Sequence, residues 1–249
     1  MSVTISTDRG APLPQGAEKA VAVRDMFDTI SPRYDLVNRV MTFRMDVGWR
    51  RRAIARLALP EGATVVDLAC GTGDFCRELD ANGIRAIGID FSMGMLSHAR
   101  TRSPLIQADA CRLPLAAASV DGVTCGFALR NFVDLAAFFH ELGRVVRPGG
   151  RIALLDATTP PNPVLKAGHA VYFGRVVPLI GGLLSDPAAY RYLPKSLAYL
   201  PPPDTMLAML REAGFSGAQR QLLSGGIAHL FTGTRGTTPA IAAPTGGAR

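Results

Sequence analysis

Apolar positions recur along the chain with two periods, and these divide it into elements. Between residues 18 and 59 the pattern is helical. Val23, Met26, Phe27 and Ile30 fall at i, i+3, i+4 and i+7. Ser31-Pro32 predicts a break, because the residue before a proline disfavours the helical region. A second helical stretch carries Trp49, Ile54 and Leu57, with Arg50, Arg51, Arg52 and Arg56 expected as an exposed basic face. The chain then alternates. Short apolar runs predict strands at 64–69, 86–90, 105–108, 122–129 and 151–157. Between them, helices are expected at 74–81, stopped by Asn82-Gly83, from Ser92 as N-cap to Arg100, and at 135–146, ended by Arg147-Pro148-Gly149-Gly150.

Strands alternating with helices imply a mostly parallel sheet covered on both faces. After Pro163 the alternation is suspended. It resumes with a helix at 204–213 and two runs, 218–223 and 227–234, close enough to pair as an antiparallel hairpin. Residues 1–17 and 236–249 mix Pro, Gly, Ser and Thr without period and read as tails. The expected division is a single domain over 18–235, with a helical arm at 18–59 and a cap insert at 163–203, between two flexible tails.

Composition changes this picture little. Hydrophobic content of 48% and charged content of 19% over 249 residues suit a globular chain with a sizeable core. The net charge of +7 favours an anionic partner or surface. The lysines are only Lys19, Lys166 and Lys195. Arginine beside abundant alanine follows base composition, so the charge is discounted as a sign of nucleic acid. Cys70, Cys76, Cys111 and Cys125 form no CxxC pair, and His98, His140, His169 and His229 are scattered. No metal site and no disulfide framework are expected, and free core thiols fit a reducing cytoplasm. There is no charged-then-apolar leader and no uncharged run of ~18 residues, so no membrane span is expected.

Candidate chemistry concentrates at VDLACGTGD, residues 66–74. A strand, a glycine-rich turn and a helix make a nucleotide site, because glycines admit the ligand and the helix start offers free N–H groups. Gly71 and Gly73 begin the dinucleotide fingerprint, but its third position is Cys76. Asp67 and Asp74 flank the loop and are expected to repel a pyrophosphate while suiting a cationic ligand. Asp90 ends the second strand, where a carboxylate can hold ribose hydroxyls. Asp109 and Ala110 follow the third strand, in reach of an adenine. S-adenosylmethionine (SAM) fits this set better than NAD or ATP. The layout is that of a class I SAM-dependent methyltransferase, an α/β Rossmann-like seven-stranded sheet.

Four blocks carry a more specific resemblance. They are YDLVNRVMT from Tyr34 with Trp49-Arg50 after it; residues 67–74; Leu129-Arg130-Asn131 followed by Leu142, Arg144-Val145 and Pro148-Gly149-Gly150; and YRYLPKS from Tyr190. The chain resembles the ubiquinone/menaquinone biosynthesis C-methyltransferases over residues 23 to 234. The resemblance implies methyl transfer from SAM to a ring carbon of a polyprenylated quinol, with Thr72, Asp90, Asp109 and Ala110 contacting SAM. The family's cofactor serine falls on Gly126. Arg44, Asp46 and Gly48 also depart from its pattern, in the substrate cap.

For such a reaction Arg130 is the candidate to stabilise a phenolate or orient a water, and Asn131 to orient the hydroxyl. Tyr34 and Asp35 are expected to close the pocket. Asp46 is a candidate proton acceptor, and Tyr190, Tyr192 and Ser196 are candidate head-group contacts. Residues 163–185 are apolar, with Lys166 and Arg175 as firm charges. They are expected as a lid over a prenyl chain, touching a membrane surface beside Arg50–Arg52, or as an ordinary buried helix pair. Demethylmenaquinol is the preferred acceptor, in a cytoplasmic enzyme at the inner face of the membrane; a homodimer is left open. Three rivals stand: a nucleic-acid methyltransferase, which Ala128-Leu129-Arg130-Asn131 and the lack of a Pro-Cys dipeptide oppose; a non-catalytic SAM- or quinone-binding protein; and a methyltransferase of soluble phenols or polyketides.

Overall fold

A computed structural model of the chain describes residues 15–177, 179 and 196–237. Seven strands form one sheet: β1 (Thr64–Leu68), β2 (Arg85–Asp90), β3 (Leu105–Gln107), β4 (Val120–Gly126), β5 (Val146–Ala157), β6 (Phe215–Leu223) and β7 (Ala228–Arg235). Their order is β3-β2-β1-β4-β5-β7-β6. The first five run parallel, and β7 is antiparallel to both β5 and β6. The order reverses between β1 and β4. In open α/β sheets the carboxyl ends of the strands at such a reversal flank a binding crevice.

Alternate residues of each strand face opposite layers, and the core divides accordingly. Val65, Ala153 and Leu230 pack with Trp49, Ile54 and Leu57 of α3 (Met45–Leu57) and Phe75 and Leu79 of α4 (Asp74–Asp80). Their neighbours Val66, Ile152 and Phe231 pack on the other face, against Phe138 and Leu142 of α6 (Leu135–Val145) and Met206 and Leu210 of α8 (Pro203–Glu212). Ahead of α3, α1 (Gly16–Ile30) and α2 (Tyr34–Met41) share a small cluster of Met26, Ile30 and Val37. Two further helices are α5 (Met93–Ser97) and α7 (Pro163–Val171), the latter running into a π-helical turn at Tyr172–Val176.

Several predicted ends are corrected: β5 begins at Val146 rather than at 151, so it takes in Arg147-Pro148-Gly149-Gly150, and β6 begins at Phe215 rather than at 218. The helix capped by Ser92 stops at Ser97 rather than at Arg100, because the Arg100 N–H turns back to the Thr72 carbonyl at 3.0 Å. The fourth strand stops at Gly126 rather than at 129. Phe127 takes a left-handed φ of 60°, and Leu129–Asn131 forms a 3-10 turn. The hairpin is present as β6 and β7. Gly126 and Phe127, at the corrected end of β4, lie on the crevice.

Candidate active site

The crevice opens at the carboxyl ends of β1, β2, β3 and β4. Its floor is the loop between β1 and α4. Gly73 has a φ of 84°, and a Cβ there would lie 2.9 Å from Thr101, so the position requires glycine. Gly71 donates its N–H to Asp90 Oδ2 at 2.7 Å, and Ser92 donates its N–H to Oδ1 at 2.8 Å. Asp90 thereby ties the glycine loop to the start of α5. Burial raises its pKa, against these backbone bonds.

Asp67 is 1% exposed. It accepts the Thr124 hydroxyl at 2.8 Å and the Cys76 thiol at 3.8 Å. Burial pushes its pKa up to about 7; the Thr124 bond opposes the shift and nearby Asp90 adds to it. Asp74 corrects the expected electrostatics. It is ion-paired to Arg50 at 2.9 Å and to Arg77. Of the three loop acids, Asp67 and Asp90 alone lack a salt bridge among the described residues. The two arginines on the crevice wall are also committed, Arg24 to Asp25 and Arg50 to Asp46 and Asp74. Among the described residues no unpaired cation therefore lines the crevice to hold a pyrophosphate. A lining that combines carboxylates with Phe91, Met95 and Ala110 fits a cationic adenosine ligand such as SAM. Asp109 also lines the crevice, although its Oδ1 accepts the Cys111 N–H at 2.9 Å and holds its own turn.

The N-terminal arm is fastened to this crevice by two acids. Asp35 accepts the Thr72 hydroxyl at 2.5 Å. Asp28, which sequence reasoning missed, accepts the Ser92 hydroxyl and the Gly94 N–H at 2.5 and 2.9 Å. Asp35, expected beside the acceptor, is thus a clasp on the cofactor loop. The clasp places Tyr34 where it lines two cavities.

The second cavity lies between the arm, Phe127 and α7. Its walls are mainly carbon, from residues such as Met26, Ile30, Trp49, Val164 and Leu165. It shares Phe27, Tyr34, Asn38 and Phe127 with the crevice, so a ring held here can approach a ligand held there. No sequence signal marked Phe127, whose left-handed backbone brings it to both cavities. Tyr172 donates its hydroxyl to the Met41 carbonyl at 2.8 Å, which joins the cap to α2.

Several expectations for this cavity are corrected. Asp46 is fully buried, accepts the Thr42 hydroxyl at 2.6 Å and pairs with Arg50 at 2.5 Å. Enclosed in that pair and away from both cavities, it is no proton acceptor for a substrate. Arg50 is correspondingly buried and leaves the expected basic surface patch. Arg130 does line the cavity, but its guanidinium is not free: it is ion-paired to Asp156, and its Nε donates to Ser196 Oγ at 3.1 Å. Ser196 is buried behind Arg130 rather than lining the pocket. Asn131 lines the crevice instead of the second cavity, and the cap of α6 is Asp134. Tyr190 and Tyr192 lie outside the described residues.

Gly126 lines the crevice at the end of β4, and a Cβ there would lie 2.7 Å from the Phe75 ring. A side chain here requires Phe75 to move. Gly126→Ser is expected to weaken SAM binding by about tenfold, the cost of ~1–2 kcal/mol of overpacking. Adding Phe75→Leu is expected to recover most of it. Calorimetry on the two variants checks this; equal affinity for wild type and Gly126→Ser would show that the ring gives freely.

The comparisons with known proteins agree with this geometry. The model of the ubiE/COQ5 methyltransferase family matches residues 15–235. A demethylmenaquinone methyltransferase of Roseiflexus castenholzii is 41% identical over 232 residues, 90% of this chain and 97% of that one. One from Deinococcus radiodurans is 39% identical, over 93% and 100% of the two chains. Among solved structures, a methyltransferase from Haloferax volcanii, in complex with its Trm112 activator, aligns with a TM-score of 0.63 at 19% identity, over 84% of this chain and 97% of that one. A SAM-dependent methyltransferase from Thermotoga maritima aligns with a TM-score of 0.60 at 19% identity, over 85% and 99%. The fold is that of the class I SAM-dependent methyltransferases.

Proposed function

The chain belongs to the ubiE/COQ5 methyltransferase family, and from that premise we propose that it methylates a ring carbon of a polyprenylated quinol, demethylmenaquinol in particular. The observation that carries this reading is the mainly apolar second cavity sharing Tyr34 and Phe127 with an anionic crevice. When bound, SAM supplies an electrophilic methyl group on a sulfonium. Asp67 and Asp90 offer that cation negative charge, and Thr72, Gly71 and Gly73 shape the loop beneath it. The walls of the second cavity exclude water and hold the ring and the first part of a prenyl chain. The carbon nucleophile forms as the ring hydroxyl gives up its proton, and catalysis is then mainly alignment and charge stabilisation. Arg130, fixed by Asp156 and Ser196, supplies a preorganised positive field at the cavity wall.

This reading also gives the chain a place. Val164 and Leu165 on α7 and Leu36 and Phe43 at α2 are exposed apolar side chains. They support contact with a membrane surface, from which a prenylated acceptor would enter, by an enzyme in the cytoplasm. No helix among the described residues is long and apolar enough to cross a membrane. Residues 18–235 act as one catalytic domain, with the arm and the cap forming the acceptor side.

The deciding experiment is methyl transfer from labelled SAM to chemically reduced demethylmenaquinone in detergent. Labelled menaquinone is the expected product. Label on a water-soluble naphthol but not on the prenylated quinol would move the acceptor to soluble phenols. SAM binding with no transfer to either would favour a non-catalytic role.

A further inference from the structure

We propose that His169 is the general base of the acceptor site and takes the proton of the ring hydroxyl; this rests on the quinol methyltransferase reading above. His169 lies on α7 and lines the second cavity. Its Nε2 is buried and has no hydrogen-bond partner among the described residues. The ring is fixed by stacking on Phe173, with centroids 4.3 Å apart and planes 28° apart. A buried polar atom without a partner is uncommon in a folded protein and points to a group that arrives with a ligand.

The other polar groups of the cavity do not offer a base. Arg130 is ion-paired to Asp156, and a guanidinium cannot lose its proton at neutral pH. The Tyr172 hydroxyl donates to the Met41 carbonyl. The Thr42 hydroxyl is spent on Asn38 O and Asp46 Oδ1. Asn38 carries an amide, which is not basic, and Tyr34 a phenol, which offers a proton rather than taking one. Burial lowers the His169 pKa below the ordinary histidine value. The imidazole is therefore neutral at neutral pH, with a lone pair to offer.

The proton balance closes. As the ring carbon bonds to the methyl group, the hydroxyl O–H bond breaks. Its proton goes to His169 and its electron pair flows into the ring. The C–S bond breaks with its electrons going to sulfur. The ring carbon then loses its hydrogen to water, and the oxygen recovers the proton that His169 held. One proton is released per methyl transferred, and the imidazole ends neutral.

The test compares wild type, His169→Gln and His169→Phe in methyl transfer to reduced demethylmenaquinone across pH, with SAM affinity measured by calorimetry. The titratable groups that line the cavity with His169 are Tyr34, Arg130 and Tyr172, the last on its own segment, where Lys166 and Arg175 also lie. The group that titrates nearby in the range of about pH 5 to 8 is Asp67 of the adjoining crevice, pushed up to about 7 by burial, and it is present in wild type and both variants alike. An acid limb in kcat within that range that both variants lose is therefore assigned to His169. The expected loss in kcat is about 10²–10⁴-fold, with SAM affinity unchanged. A second arm follows the ring nitrogens of His169 by NMR on histidine-labelled protein as 1-naphthol is added. A change in the His169 resonances is expected. Variants within twofold of wild-type kcat that keep the acid limb would overturn the proposal, as would a His169 ring that naphthol leaves unmoved. A wild type that methylates no quinol, yet shows the naphthol response, would sink the quinol reading and keep His169 as the partner of a phenolic hydroxyl.

Discussion

Arg130→Ala is expected to cost about 3–5 kcal/mol of stability, because it leaves a buried carboxylate without its counter-charge. Asp156 is fully buried on β5 and accepts both the Arg130 guanidinium and, at 3.2 Å, the Arg130 N–H. The loss would appear as a lower midpoint in urea unfolding. Activity lost with it would not yet be a statement about chemistry. Arg130→Met combined with Asp156→Leu separates the two effects. Replacing both partners by apolar groups of similar size is often neutral for stability. The double variant is therefore expected to be more stable than Arg130→Ala, short of wild type by the Arg130 and Ala157 N–H groups that Asp156 accepts, while kcat falls by about 10²-fold, the scale of one lost preorganised electrostatic contact. A folded double variant of normal kcat would make the pair purely architectural.

Much of the sheet was legible in the sequence because β1, β2 and β4 carry short apolar runs that close at or just before a glycine or an acid, whereas the long β5 and the mostly polar β6 were read only in part. The ends that failed are those decided by distant partners. No local pattern encodes the bond from Arg100 to Thr72 that stops α5, or the left-handed Phe127 that ends β4. The glycine loop was legible as a motif, since Asp67, Gly71, Gly73 and Asp90 act through local backbone geometry. The charges around it were not. Asp74 looks free in sequence, but Arg50 reaches it from another helix. The pair that neutralises Asp46 could have been found, since Asp46 and Arg50 stand at i and i+4 on one helix. Arg130 and His169 needed the tertiary structure, because their roles depend on which partners are present and which are missing.

Asp67→Asn is expected to stabilise the unliganded protein while weakening its hold on SAM. The folded pKa of Asp67 is about 7, against about 3.9 in an unfolded chain. Between those values the folded state holds a proton that the unfolded state has released. Stability therefore falls as pH rises from about 4 to about 7, and the penalty is complete above that. Asparagine carries no charge to desolvate, and its Oδ1 can still accept the Thr124 hydroxyl that Asp67 accepts at 2.8 Å. Each tenfold difference in proton affinity between the two states is worth about 1.4 kcal/mol. At pH 8 the unliganded variant should therefore be more stable than wild type by on the order of 2–4 kcal/mol. At pH 4 the difference should vanish. Ligand binding should move the other way, because a buried carboxylate contributes most when a cation arrives to pair with it. SAM affinity is expected to drop about 10–100-fold, and the affinity for S-adenosylhomocysteine, whose sulfur is neutral, much less. Thermal unfolding at the two pH values and calorimetry with the two ligands together test this. A variant no more stable than wild type at pH 8 would place the Asp67 pKa near its ordinary value. Equal losses for both ligands would mean that Asp67 shapes the loop rather than answering the sulfonium charge.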